Sequence, residues 1–182
     1  SSAGTLNYTV NKANTTTAIL SDTPDPSLVN QPYTVTWSVT AVAPGAGTPT
    51  GTVTVNGGTG GGSCTAPVVN GGCQLTPTTI GAKTISATYN GDNNFNTSTS
   101  STTGHTVNVQ IAGLVRNGVT LAPASGVTMN LVGCASGNGT TTTNAAGQYS
   151  FTGQIVGPCQ VYPNPVSEPY VRLYATVLTN IT

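Results

Sequence analysis

Charge is almost missing from this chain. Its 182 residues carry four basic groups (Lys12, Lys83, Arg116, Arg172) and four acidic ones (Asp22, Asp25, Asp92, Glu168), which cancel. A charged fraction of 4% is far below the usual quarter. Nucleic-acid binding needs clustered Lys and Arg, so that partner is excluded. Electrostatic attachment to an anionic membrane is excluded for the same reason, and no apolar run is long enough to be inserted across a bilayer. Helical periodicity is missing too: no window of 11–18 residues repeats its apolar positions at 3.6.

Hydroxyls, amides and glycine take the place of charge. Charge normally keeps proteins soluble and apart, so a surface of this kind suits self-association, or hydration by something attached to it. Five N-x-Ser/Thr sequons, at Asn7, Asn14, Asn96, Asn138 and Asn180, leave covalent glycans open as that attachment.

Alternation with period two runs through the chain. In Tyr33–Val39, Tyr33, Val35, Trp37 and Val39 face one way and hydroxyls the other. Thr52–Val55 and Lys83–Tyr89 repeat the pattern, and clusters such as Pro24-Asp25-Pro26, Asn56-Gly57-Gly58 and Asn90-Gly91-Asp92 separate the runs. Short strands with this punctuation predict β-sandwiches. Four cysteines, Cys64, Cys73, Cys134 and Cys159, fall two to each half and predict local disulfides Cys64–Cys73 and Cys134–Cys159. Disulfides place the chain outside the reducing cytosol.

The stretch from Thr15 to Ser100, with TVTWSV, GTPTGTVTVNGG and GAKTISATYNGDNNF, resembles one repeat of the bacterial immunoglobulin-like domains of large surface proteins. Residues 110–162, with IAGLVRNG, GVTMNLVG and TTTNAAGQYSF, resemble the prealbumin-like sandwich of carboxypeptidase regulatory domains and B-type surface repeats. Ile111, Val115, Val127, Met129, Leu131, Tyr149 and Phe151 would form its core, and the VRLYATVLTNI tail would add a closing strand. These resemblances imply an all-β protein of two consecutive antiparallel β-sandwiches, residues 14–109 and 110–182, at the cell surface.

Residues 1–13 stand apart. Ser1–Val10 echoes Ser101–Val109, the expected last strand of the first sandwich. Residues 1–10 therefore read as the last strand of a preceding domain, and VNKANTTT at 10–17 matches the junction between such repeats. Three readings stay open: a fragment of a longer array, a mature chain beginning at Ser1 whose first strand lodges in another subunit, or an ordinary first strand. In the second reading Leu6, Tyr8 and Val10 form the subunit interface, since their alternation suits one buried face.

Catalysis is thinly provisioned. A Ser–His–Asp triad could use only His105, the sole histidine, and no nucleophile motif surrounds it; it reads as a solvent-facing strand residue. Asp22 and Asp25 read as caps of backbone N–H groups in a Pro-rich turn. Asp92 lies in a turn resembling the G-D-x-N-Y/F turn of the repeat family, a structural role. Calcium at Asp22, Asp25 or Asp92 is a weaker alternative, because the D-x-D-x-D spacing is absent, and a cysteine-rich zinc site lacks its C-x₂-C pair. Trp37 alternates with Val35 and Val39, so it reads as core rather than as a sugar platform. Residues 110–182 contain no lysine, which removes the Lys–Asn isopeptide bond of B-type modules there.

The expected function is structural and non-catalytic, without metal or cofactor. The chain reads as a subunit of an extracellular filament or adhesin stalk, its partners being copies of itself or adjacent repeats, joined head to tail by β-strand donation. A carbohydrate-binding or adhesive module of a larger secreted protein is the alternative.

Overall fold

The computed structural model describes residues 10–164 and, as backbone, 173–179. All of its regular elements are strands apart from one short 3₁₀ turn, Val68–Asn70. Two compact units divide between Thr106 and Val107.

The first unit contains β1 (Thr15–Thr23), β2 (Ser27–Leu28), β3 (Tyr33–Ala41), β4 (Thr52–Asn56), β5 (Ser63–Pro67), β6 (Gly72–Leu75), β7 (Gly81–Tyr89), β8 (Ser98–Thr99) and the start of β9 (Thr103–Asn117). One sheet has the order β1-β3-β6; the facing one runs β5-β4-β7-β9, with β8 on β7 and β2 on β9. The alternation in β3 works as the sequence predicts: Tyr33, Val35 and Trp37 are buried while their neighbours are half exposed. Val53 and Val55 of β4 and Ile85, Ala87 and Tyr89 of β7 close the core from the other side. At about 25 cal/mol per Å² of apolar surface, this burial is the main stabilising contribution. Cys64 on β5 is bonded to Cys73 on β6, with Cα atoms 6.2 Å apart. Because β5 and β6 belong to different sheets, this bond staples one layer of the sandwich to the other.

In the second unit β10 (Thr128–Val132), β11 (Gly139–Thr142) and β13 (Gln160–Pro163) form the order β11-β10-β13. The later part of β9 pairs antiparallel with β12 (Gln148–Gly153) and β14 (Leu173–Thr179). Ile111, Val115, Val127, Met129, Leu131, Tyr149 and Phe151 are all buried, the core that the resemblance implies. Cys134 is bonded to Cys159, Cα atoms 4.7 Å apart, just beyond the β10–β13 pair Val132↔Gln160. The boundary expected after Val109 falls inside β9, where the inward positions Val107, Val109 and Ile111 continue without a break.

Candidate functional site

The first unit holds a cluster of polar side chains at each end. At the end where β1 begins, the Asn90–Asn96 turn is organised by Asp92. Its Oδ1 accepts the backbone N–H groups of Asn94 and Phe95 at 2.7 and 2.8 Å. Oδ2 accepts the N–H and hydroxyl of Thr50 at 2.8 and 2.5 Å. Those four bonds, that from the Thr50 hydroxyl first, hold its carboxyl well below the ordinary carboxylate range. Gly51 is required beside it: its φ is +80°, and a Cβ there would stand 2.7 Å from the Gly91 carbonyl oxygen.

This turn also grips the segment leading into β1. Lys12 Nζ donates to the Asp92 carbonyl at 2.6 Å. Ala13 donates its N–H to Asn94 and accepts one from Asn96, and Asn96 Nδ2 donates to Asn14 Oδ1 at 2.9 Å. Val10 stands free, 93% exposed. Asn14, Asn96 and Asn138 are exposed. Leu6, Tyr8, Asn7 and Asn180 lie outside the described residues.

At the other end of β1, His105 is completely buried, not solvent-facing as its sequence context suggests. The reason is parity: His105 shares the inward face of β9 with Val107 and Val109. Its ring stacks on Tyr33, centroids 3.9 Å apart and planes inclined by 12°. Nδ1 lies 2.9 Å from Asp22 Oδ2 and 3.4 Å from Asp25 Oδ1. Nε2 lies 2.8 Å from the hydroxyl of Ser27. A carboxylate only accepts, so the Nδ1 proton points to Asp22; in the neutral ring Nε2 then accepts from Ser27. Asp25 Oδ1 accepts the backbone N–H of Thr106 at 2.9 Å, on β9 and not within its own turn as expected; Asp22 serves the imidazole. Burial, then the negative charge of Asp22 and Asp25, pushes the Tyr33 phenol up to about 12.

Ser27, His105 and Asp22 thus form the hydrogen-bond chain of a catalytic triad. Ser27 is 1% exposed, so its hydroxyl meets no substrate, and the open cavities beside Thr141 and Ser150 are lined by none of these three residues. What the arrangement does is fasten the Pro24–Pro26 turn to β9 through a hydrogen-bonded network centred on the buried imidazole. Trp37, 3% exposed, is core and offers no sugar platform.

A family model, bacterial Ig-like domain (group 3), matches residues 20–110. The chain belongs to that family. Among solved structures it is similar to the T6 backbone pilin of serotype M6 Streptococcus pyogenes, a modular three-domain protein, at 12% identity and a TM-score of 0.34 over 91% of this chain. The match spans about half (51%) of that pilin's length. No curated protein matches the chain. Among the described residues of this bacterial Ig-like protein, no helix is long and apolar enough to cross a membrane.

Proposed function

We propose that this protein is a non-catalytic building block of an extracellular filament or adhesin stalk, in which successive repeats or copies follow head to tail. The observation that carries this reading is the separation of the two ends of the first unit. The chain comes in at the Asp92 turn, bound there by Lys12, Ala13 and Asn96. It leaves past His105, which is bonded to Asp22 near the far end of β1. The nine residues of β1 separate these ends; its eight residue-to-residue steps make roughly 27 Å at a strand's rise of about 3.4 Å. A unit built this way passes tension along its length, and each end carries a cluster of side-chain hydrogen bonds. Family membership, an uncharged hydroxyl-rich surface and one disulfide per unit support the same reading.

The finer step is strand donation. Leu6, Tyr8 and Val10 would complete a sheet of the neighbouring copy, covering an edge that an uncharged β protein cannot protect by repulsion. The exposed Val10 side chain supports it. Domain limits of 14–109 and 110–182, with 1–13 as the donated arm, belong to this proposal. Glycans, if added, would sit at Asn138 in preference to Asn96, whose amide nitrogen already binds Asn14 and Lys12.

Negative-stain electron microscopy of the full chain tests the idea, beside a version lacking residues 1–12 and one carrying Leu6→Asp and Tyr8→Asp. Filaments are expected from the full chain alone. Isolated particles in all three samples would sink strand donation and leave a spacer within a longer surface protein.

A further inference from the structure

We infer that Asp22, Asp25 and His105 form a binding site for a zinc-like divalent cation, which clamps the end of β1, the Pro24–Pro26 turn and the start of β9 together. Three potential ligand atoms converge there, all within 4.8 Å of one another: Asp22 Oδ2, Asp25 Oδ1 and His105 Nδ1. The two contacts to the imidazole nitrogen are 2.9 and 3.4 Å. Tetrahedral zinc with bonds of about 2.1 Å needs neighbouring ligand atoms about 3.4 Å apart. The Asp25 contact matches that value, the Asp22 contact is about half an ångström shorter, and the two carboxylate oxygens lie within 4.8 Å of each other, so side-chain adjustments of about an ångström or less bring the three atoms to it.

Charge points the same way. Two carboxylates meet one imidazole, and among the described residues no Lys or Arg lies within ion-pair distance of either. One Nδ1 proton cannot serve both.

The opposite ring nitrogen is already held. Metal-binding histidines usually anchor their second nitrogen on a neighbouring group, and here Ser27 supplies it at 2.8 Å. On binding, Nδ1 releases its proton to water and takes the cation. Nε2 takes up a proton from water and donates it to the Ser27 hydroxyl, which can accept as readily as it donates. The net proton count is unchanged. An imidazole with two carboxylates suits zinc and its first-row neighbours, whereas calcium wants six to eight oxygens. Asp25, with its side chain 38% exposed, leaves the way in from solvent. All four cysteines are in disulfides, so thiolates do not compete.

His105 is the only histidine in the chain, so its ring nitrogens report this site without ambiguity. The test is a Zn²⁺ titration of the chelator-treated full chain, followed by ¹⁵N NMR of the labelled histidine. Saturation at one Zn²⁺ per chain is expected, with Nδ1 shifting to a metal-bound value, Nε2 becoming protonated, and Ca²⁺ producing neither change. Asp25→Asn keeps an acceptor for the Thr106 N–H and should weaken Zn²⁺ binding by roughly tenfold or more. Ring resonances unmoved by Zn²⁺ would overturn the inference, as would undiminished affinity in Asp25→Asn.

Discussion

Asp92 and Thr50 are joined twice: one carboxylate oxygen accepts both the backbone N–H and the hydroxyl of Thr50, at 2.8 and 2.5 Å. The two residues belong to different loops, 42 positions apart, so the pair ties the Asn90–Asn96 turn to the approach of β4. With the Lys12 and Ala13 contacts, the segment leading into β1, the β4 approach and the β7–β8 connection become one hydrogen-bonded body.

Acid stability should depend on that pair. Asp92 has a folded-state value depressed below its usual 3.8. A group lowered in the folded state stabilises it above the unfolded value, and the contribution is lost as pH falls through the folded one. Melting temperature followed from pH 7 downwards should therefore begin to drop near pH 4 and continue below it. In Asp92→Asn, which cannot titrate, the acid slope should flatten. An unchanged slope would mean that other carboxylates govern it.

Alkali should act through Tyr33 at the other end of the unit, as it should through buried Tyr89 beside Asp92. Tyr33 is raised from 10.0 to about 12; a raised value gives stability that is complete below pH 10 and lost as pH climbs towards the folded value. Thermal unfolding measured between pH 9 and 12 should show this loss. Tyr33→Phe should reduce it, while giving up only the 3.3 Å bond from the phenol to the Gly61 carbonyl.

Much of the fold was legible because alternation is a local signal. Tyr33, Val35 and Trp37, or Met129 and Leu131, announce their burial within a few residues. The polar cluster was not legible, because its members are remote: His105 and Asp22 are 83 positions apart, and His105 and Ser27 are 78 apart. The clue that existed was parity, since His105 keeps step with Val107 and Val109. Lys83 follows the same logic. It shares the inward face of β7 with Ile85 and is buried, and its ammonium reaches back to Thr79 Oγ1 and the Ile80 carbonyl at 2.7 and 3.1 Å. A charged residue at the start of a strand can obey the pattern when its long stem carries the head to a polar exit.

The disulfides should differ in their effect. Cys64–Cys73 spans 9 positions and Cys134–Cys159 spans 25. Chain entropy then gives about 2.7 kcal/mol for the first and about 3.5 kcal/mol for the second. Replacing each pair by alanine and measuring denaturant unfolding should lower stability by amounts of that order, with the larger loss in the second unit. Equal stability with and without Cys64–Cys73 would show that the core alone holds the two sheets of the first unit together.

Ser27→Ala separates a structural network from a packing accident. The serine is 1% exposed and faces His105 Nε2 at 2.8 Å. Alanine fills nearly the same space and packs as well, so any cost comes from the hydrogen bond. Removing one partner leaves a buried nitrogen with its full desolvation penalty, about 1–3 kcal/mol. Chemical denaturation of the full chain should show a loss of that size confined to the first unit. It should also release the Pro24–Pro26 turn, so amide exchange should accelerate at Thr106, whose N–H is held by Asp25. A neutral substitution with unchanged exchange would mean that Asp22 and the Tyr33 stack position the imidazole without help from Ser27.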